Sequence, residues 1–429
     1  LDYTKAGSQP VPEENRFERE VLVSNLNEPT ELVVLPGGKV LFGERKGLLK
    51  VYNPASKKTK IVAQMPVYTK FEYGLMGVNA DPNFAANKRI FLYYSPDAAV
   101  FGADTAQHLS QFTYDDVQDV LLMATEKVLL RVPVKRTDCC HTGGSIAWDK
   151  KGNLYLSTGD DTNPFKSEGY SPSDNREGRA GWDALGTSAN TNDLRGKILR
   201  ITPNGNGGYS IPAGNLFGEE TNLSDRSRAR PEIYVMGNRN PYRIAVDQRT
   251  GFLYWGEVGP DAGENRANRG PRGHDEINQA RQAGFFGWPM FVGDNKAYDV
   301  FNFRDSTSTG VVYDAAKPLN SSPHNTGLRE LPPAQKAFIY YPYAESPEFG
   351  AIVGRGGRNA MAGPVYYYDD YAADSKVKFP RAYDGKLFAY DWMRDWINPV
   401  TMTGTASIRS AADQPAGDFV KMERFMPNT

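Results

Sequence analysis

The stretch Thr137–Asp160, "TDCCHTGGSIAWDKKGNLYLSTGD", holds both cysteines and one of the four histidines of the 429-residue chain. Its second half decides the fold. "GSIAWD" and "NLYLST" are short apolar-aromatic runs separated by a turn with Gly152, and glycine supplies the positive φ that a tight hairpin turn needs. The same grammar returns elsewhere: a turn ending in Gly, an apolar-aromatic strand, then a small or acidic residue. It occurs in "PGGKVLFGE" (36–44), "RTGFLYWGEVG" (249–259) and "YDGKLFAYDW" (383–392), and more loosely in "ANKRIFLYYSP" (86–96). Each copy follows another strand-like run: "TELVVL", "GSIAWD", "YRIAVD", "GPVYYYD" or "MGVNAD".

Such recurrence fits blades of a β-propeller with long insertions. A β-sandwich would space its strands more tightly, and a parallel α/β fold would need crossover helices that the pattern lacks. The five copies plus the C-terminal stretch "PVTMTGTASIRSAADQPAGDFVKMERF" predict six blades. "FEREVLVSNL" near the N-terminus is expected to supply the strand that closes the ring. The expectation is therefore an all-β, six-bladed β-propeller formed as a single domain over 1–429. Long polar loops at 159–195, 203–230, 261–276 and 293–335 are expected to wall a site on one face.

Composition narrows the chemistry. Lys plus Arg number 50 against 51 Asp plus Glu, which gives no basic field for nucleic acid. No apolar run approaches the roughly 20 residues of a membrane helix. The polar, Pro-containing start, "LDYTKAGSQPVPEENRF", implies that any signal peptide has been removed. Two cysteines exclude a disulfide framework and a four-cysteine zinc site. Zinc at Cys139, Cys140 and His141 would need help from His108, His274, His324 or carboxylates, none of which shows ligand spacing. "CCH" also lacks the spacing of a haem attachment motif. The pair is left as two buried thiols or as a vicinal disulfide, strained because trans neighbours lie only about 3.8 Å apart at Cα.

Five strings in order, "HTGGSIAWDKKGNLYLSTGD", "MGNRNPYRIAVD", "GEVGPDAG", "HDEIN" and "FGWPMFVGD", resemble the soluble glucose/sorbosone dehydrogenase family. The resemblance runs from about Asn27 to Trp396. It implies a quinoprotein that uses pyrroloquinoline quinone (PQQ) with Ca²⁺ to oxidise a sugar or related polyol or aldehyde. In that reading His141 is the general base, a role suited to imidazole near neutral pH. Arg239, with Asn240, lies by the quinone, where a guanidinium stabilises negative charge as hydride arrives. The carbonyls of Gly259 and Pro260 hold calcium, and Asp275, Glu276 and Asp294 serve a second calcium. Arg355, Arg358 and Arg394 meet the cofactor carboxylates, while Tyr341 and Tyr343 pack over quinone or sugar.

The chain also departs from the family. Tyr73 and Val258 stand where glucose-oxidising members place Gln, and both positions face substrate there, which puts free glucose in doubt. Cys140 replaces an Asp before the histidine, so Cys139 and Cys140 are expected as substrate-side wall. The resemblance further implies a periplasmic or secreted enzyme that passes electrons to a separate acceptor such as a cytochrome. The competing readings are a carbohydrate-binding or non-oxidative propeller that has lost PQQ, and a protein-binding scaffold.

Overall fold

The computed structural model describes residues 17–102, 105–137, 139–405 and 417–427. These residues form five blades, each built on four antiparallel strands, with short strands added to the edges of the third and fifth and two separate two-stranded sheets. Blade 1 is Pro29–Val34, Val40–Glu44, Leu48–Asn53 and Lys58–Gln64; blade 2 is Leu75–Ala80, Arg89–Tyr94, Gln107–Asp115 and Val120–Val132. Blade 3 is Gly143–Trp148, Leu154–Thr158, Lys197–Pro203 and Ile233–Met236, and blade 4 is Pro241–Val246, Leu253–Glu257, Asp275–Ala280 and Ile339–Tyr341. Blade 5 is Ala360–Tyr366, Lys386–Asp391, Trp396–Met402 and Phe419–Met422. From blade 1 through blade 5, the first strand of each blade packs against the first strand of the next.

The repeat has a local cause. In blade 3, Asp149 Oδ1 accepts the backbone N–H of Lys151 and of Asn153 while Gly152 turns at φ 80°. In blade 4, Asp247 repeats the device, accepting from Arg249 N–H and Thr250 Oγ1 ahead of Gly251 at φ 75°. An acidic residue caps the turn and glycine reverses it. Blade 2 is the loose copy because a non-glycine residue, Lys88, takes the left-handed position at φ 57°.

The C-terminal stretch is placed differently from expectation. The C-terminal stretch counted as a sixth blade pairs instead with Lys386–Asp391, so Trp396–Met402 and Phe419–Met422 complete blade 5. Part of that stretch, 406–416, lies outside the described residues. "FEREVLVSNL" forms no strand; Val21–Val23 and Leu26 run along a cleft of about 570 Å³ between blade 1 and blades 4 and 5. Sequence period cannot tell a new blade from the outer strands of the last one, because both read as alternating apolar runs.

The long loops mostly gather at one end. Loops 159–196 and 258–274 join second to third strands at the end where one blade passes to the next. After blade 4's third strand the chain climbs back along blade 3, where Gly284–Phe285 pairs in parallel with Val235–Met236. That climb delivers Trp288 to the loop end of the ring. The loop 204–232 joins third to fourth strands, so by antiparallel alternation it leaves from the opposite end.

Candidate active site

His141 sits immediately before the first strand of blade 3, and Asp160 two residues beyond the second. The antiparallel ladder, which matches Thr158 to Gly143, brings the two together. His141 Nδ1 lies 2.7 Å from Asp160 Oδ1, with both side chains buried. Trp288 Nε1 donates to Asp160 Oδ2 at 2.8 Å, and Thr162 N–H donates to Oδ1 at 3.0 Å. The carboxylate is thus fixed from three sides. Such a partner puts the ring proton on Nδ1 and leaves a lone pair on Nε2. Among the described residues Nε2 has no hydrogen-bond partner, and the ring lines a small cavity with Arg239, Pro260, Asp261 and Trp288.

Arg239 is the second expected residue brought to this cavity. Its Nη1 donates to Val258 O at 2.9 Å and its Nη2 lies 3.8 Å from Asp261. Its backbone N–H is held by Glu257 Oε1. Asn240 does not point to the cavity with a free amide oxygen: its Oδ1 accepts the N–H of Gly143 at 3.0 Å. Val258 is half-buried beside Arg239. Cys139 and Cys140 are joined by a disulfide and are half-buried.

Several expected side chains are committed elsewhere. Arg394 donates to the carbonyls of Val353, Gly354, Gly357 and Pro342, a loop clamp that uses up its fork of donors. Arg358, 6% exposed, pairs with Asp275 at 3.0 Å and donates to the carbonyls of Gly273 and Pro260. Arg355 stands exposed on the loop just before Arg358. Tyr341 is wholly buried with its hydroxyl on Asp391 at 2.7 Å. Tyr343 stays near the cavity rim, donating to Asp261 at 2.8 Å with the Arg358 guanidinium over its ring. Tyr73 is buried, its hydroxyl on Asp161 at 2.9 Å; burial and that carboxylate together hold it protonated.

The acidic candidates divide differently from the expected set. Asp275 accepts from Arg358 and from the N–H groups of Gly259 and Ala360, so it sits in a buried ion pair. Asp294 pairs with Lys296 near the surface. Glu276 instead faces Glu257, its directly opposed cross-strand neighbour. Both are buried, and burial lifts Glu276 to about 7 and Glu257 well above its ordinary range, the latter also through the charge of Glu276. Among the described residues Glu257 Oε2 has no hydrogen-bond partner, and a second small cavity lies between this pair, Gly259 and Pro260. Gly259 is obligatory there, since a Cβ would stand 1.7 Å from His274 O.

Sequence reasoning missed Asp160, Trp288, Glu257 and Glu72. Asp160 had a signal, as the acidic residue closing the hairpin that starts at His141. Trp288, in "FGWP", had none that pointed to Asp160.

A propeller that carries a carboxylate-held histidine and a guanidinium across one cleft has the parts of a proton-abstracting enzyme. The comparisons agree: the chain belongs to the glucose/sorbosone dehydrogenase family, whose model matches residues 26–328. An aldose sugar dehydrogenase of Escherichia coli is 28% identical over 274 residues, covering 63% of this chain and 61% of the relative. Quinoprotein glucose dehydrogenase B of Acinetobacter calcoaceticus is 24% identical over 339 residues, covering 75% and 65%. The matches thus span less than two thirds of these curated relatives. Among solved structures, a glucose dehydrogenase-like oxidoreductase of Thermus thermophilus superposes with a TM-score of 0.58 at 20% identity, covering 95% of this chain and 87% of that one. The PQQ-bound aldose sugar dehydrogenase of Streptomyces coelicolor gives 0.55 at 18%, covering 93% and 83%. At these identities the structures speak for the fold.

Proposed function

We propose that this chain oxidises a sugar or related polyol, with PQQ as hydride acceptor and His141 as the base. The observation that carries the reading is the 2.7 Å contact of His141 Nδ1 with Asp160, which leaves Nε2 as the acceptor on the cavity side. His141 takes the substrate hydroxyl proton, and Asp160 stabilises the imidazolium that results. Arg239 offers a guanidinium where negative charge gathers as hydride leaves the carbinol carbon. PQQ, when bound, supplies an electrophilic quinone able to take that hydride as an electron pair.

The chemistry of the donor set fits such a group at its reactive edge, through His141 and Arg239. It fits less fully at the carboxylate edge, because Arg358 and Arg394 are already engaged. The cavity at His141 has room for about one water, so a flat tricyclic ligand requires the loops carrying Tyr170 and Asp261 to part. For Ca²⁺, the unpaired Oε2 of Glu257 beside Gly259 is the fitting feature, since a hard cation seeks buried oxygen. Pro260 O, which accepts from Arg358, would have to be shared.

Support also comes from relatives named as quinoprotein glucose dehydrogenase and aldose sugar dehydrogenase. Tyr73, tied to Asp161, presents no free amide to a sugar, which argues for a substrate other than glucose. The disulfide suits an oxidising compartment, periplasmic or extracellular, and electrons would leave to a separate acceptor such as a cytochrome. No helix among the described residues is long and apolar enough to cross a membrane. The engaged arginines favour the second reading, a carbohydrate-binding propeller without quinone.

Reconstitution decides between them. Protein mixed with PQQ and Ca²⁺ should acquire the quinone spectrum and reduce a dye in the presence of one or more sugars. His141→Ala should keep the spectrum and lose about 10²–10⁴ in turnover. Failure of the unmutated protein to take up PQQ would favour the binding propeller.

A further inference from the structure

The turn that carries His141 is held almost wholly by side chains. Six successive N–H groups leave it. His141 and Thr142 donate to Glu72 Oε2 at 2.7 and 3.3 Å, and Gly143 donates to Asn240 Oδ1 at 3.0 Å. Gly144 and Ser145 donate to Ser157 Oγ at 3.2 and 3.0 Å, and Ile146 to Glu31 Oε2 at 3.3 Å. His141 itself has φ 65°, in the left-handed region that non-glycine residues adopt uncommonly. At His141 one carboxylate, that of Glu72, accepts this N–H and the next.

Glu72 is well placed for this. It stands on the connection from blade 1 to blade 2, whose carbonyls at Thr69, Phe71 and Tyr73 are gathered by the Arg45 guanidinium. A carboxylate oxygen of Glu72 and both sulfurs of the Cys139–Cys140 disulfide lie within 4.8 Å of one another. Among the described residues the His141 ring is hydrogen-bonded to Asp160 and not to Glu72. The two carboxylates act on different parts of the residue. Asp160 sets the tautomer, and Glu72 sets where the ring starts from.

We propose that Glu72 is a positioning residue for His141, acting on the backbone of the turn that aims the imidazole. The proposal rests on the general-base reading of His141. Misplacement of a reacting group by about 1 Å can cost 10²-fold in rate, so loss of the clamp should lower kcat and leave KM nearly untouched.

The test uses the full chain with ¹⁵N-labelled histidine. His141 should show a hydrogen-bonded Nδ1–H resonance in the protein without cofactor, assigned by its absence in His141→Ala. In Glu72→Ala that resonance should disappear or move to an unbonded position. After loading with PQQ and Ca²⁺, kcat should fall about 10- to 100-fold, with KM within about threefold. Glu72→Gln, whose amide oxygen can accept the same two bonds, should keep the resonance and most of kcat. If Glu72→Ala does not fold, Glu72→Asp carries the test, since its shorter side chain keeps the charge but falls short of the turn. An unchanged resonance together with unchanged kcat in the Ala or Asp variant overturns the proposal, as does a Gln variant no better than Ala. A lost resonance with unchanged kcat would uphold the clamp and sink the base role of His141 instead.

Discussion

Replacing Asp160 with Asn alters the site by one atom and tests its central contact. The carboxylate accepts from His141 Nδ1, Thr162 N–H and Trp288 Nε1 at 2.7, 3.0 and 2.8 Å. Asparagine offers one oxygen and one NH₂ to the same three donors. With its oxygen toward His141, the NH₂ meets Trp288; flipped, it meets Thr162 and draws the imidazole proton to Nε2. Either arrangement strands a buried donor, at a cost of about 1–3 kcal/mol in stability. The larger effect is on the charge that forms when His141 takes the substrate proton. Two unit charges about 4 Å apart at an effective dielectric near 20 attract by about 4 kcal/mol. At about 1.36 kcal/mol per decade, losing that attraction lowers the rate by up to about 10³. Asp160→Asn, loaded with PQQ and Ca²⁺ and assayed with a dye acceptor, should therefore lose about 10²–10³ in kcat with cofactor still bound. Turnover within threefold of the unmutated enzyme would refute the argument, because it would show that His141 works without its carboxylate.

The buried Glu257–Glu276 pair gives a pH signature. Glu276, lifted by burial from 4.5 to about 7, binds more proton folded than unfolded in that window, so stability should fall as pH rises from about 4.5 to about 7. Melting scans at pH 5 and 8 should show the drop, and Glu276→Gln should reduce it, leaving the parts due to Glu257, which burial also raises, and to Glu31, which burial lifts to about 7. Ca²⁺ should raise the melting temperature more at pH 8 than at pH 5, since it takes ionised carboxylates; equal shifts at both pH values would place the ion elsewhere. Cys139 and Cys140 should resist alkylation until reduced, as read by intact mass under denaturing conditions; two alkylated thiols before reduction would contradict the disulfide.

The fold was legible because each blade writes its own turn. Asp149 with Gly152 and Asp247 with Gly251 announce hairpins in the letters alone, since capping and left-handed turns are local events. The arginines were not legible. Whether Arg358 and Arg394 face a ligand or gather carbonyls depends on loops that meet only in three dimensions, and a guanidinium in sequence looks the same in both cases. The pairing of His141 with Asp160 falls between these. Blade 3's hairpin begins with Trp148 opposite Leu154, a register that, continued, would set Asp160 against Thr142. The ladder slips by one between Leu156 and Thr158, where Gly144 and Ser145 both donate to Ser157 Oγ. Beyond the slip, Thr158 faces Gly143, and the same count puts Asp160 against His141. One residue of slip exchanges the faces of a strand. Gly143 and Gly144, both at positive φ, allow it, because a Cβ at Gly143 would stand 2.7 Å from Gly159 N and one at Gly144 would stand 2.5 Å from Met76 Cβ. The Gly-Gly pair after the histidine is therefore part of the site: it bends the hairpin so that the base meets its carboxylate.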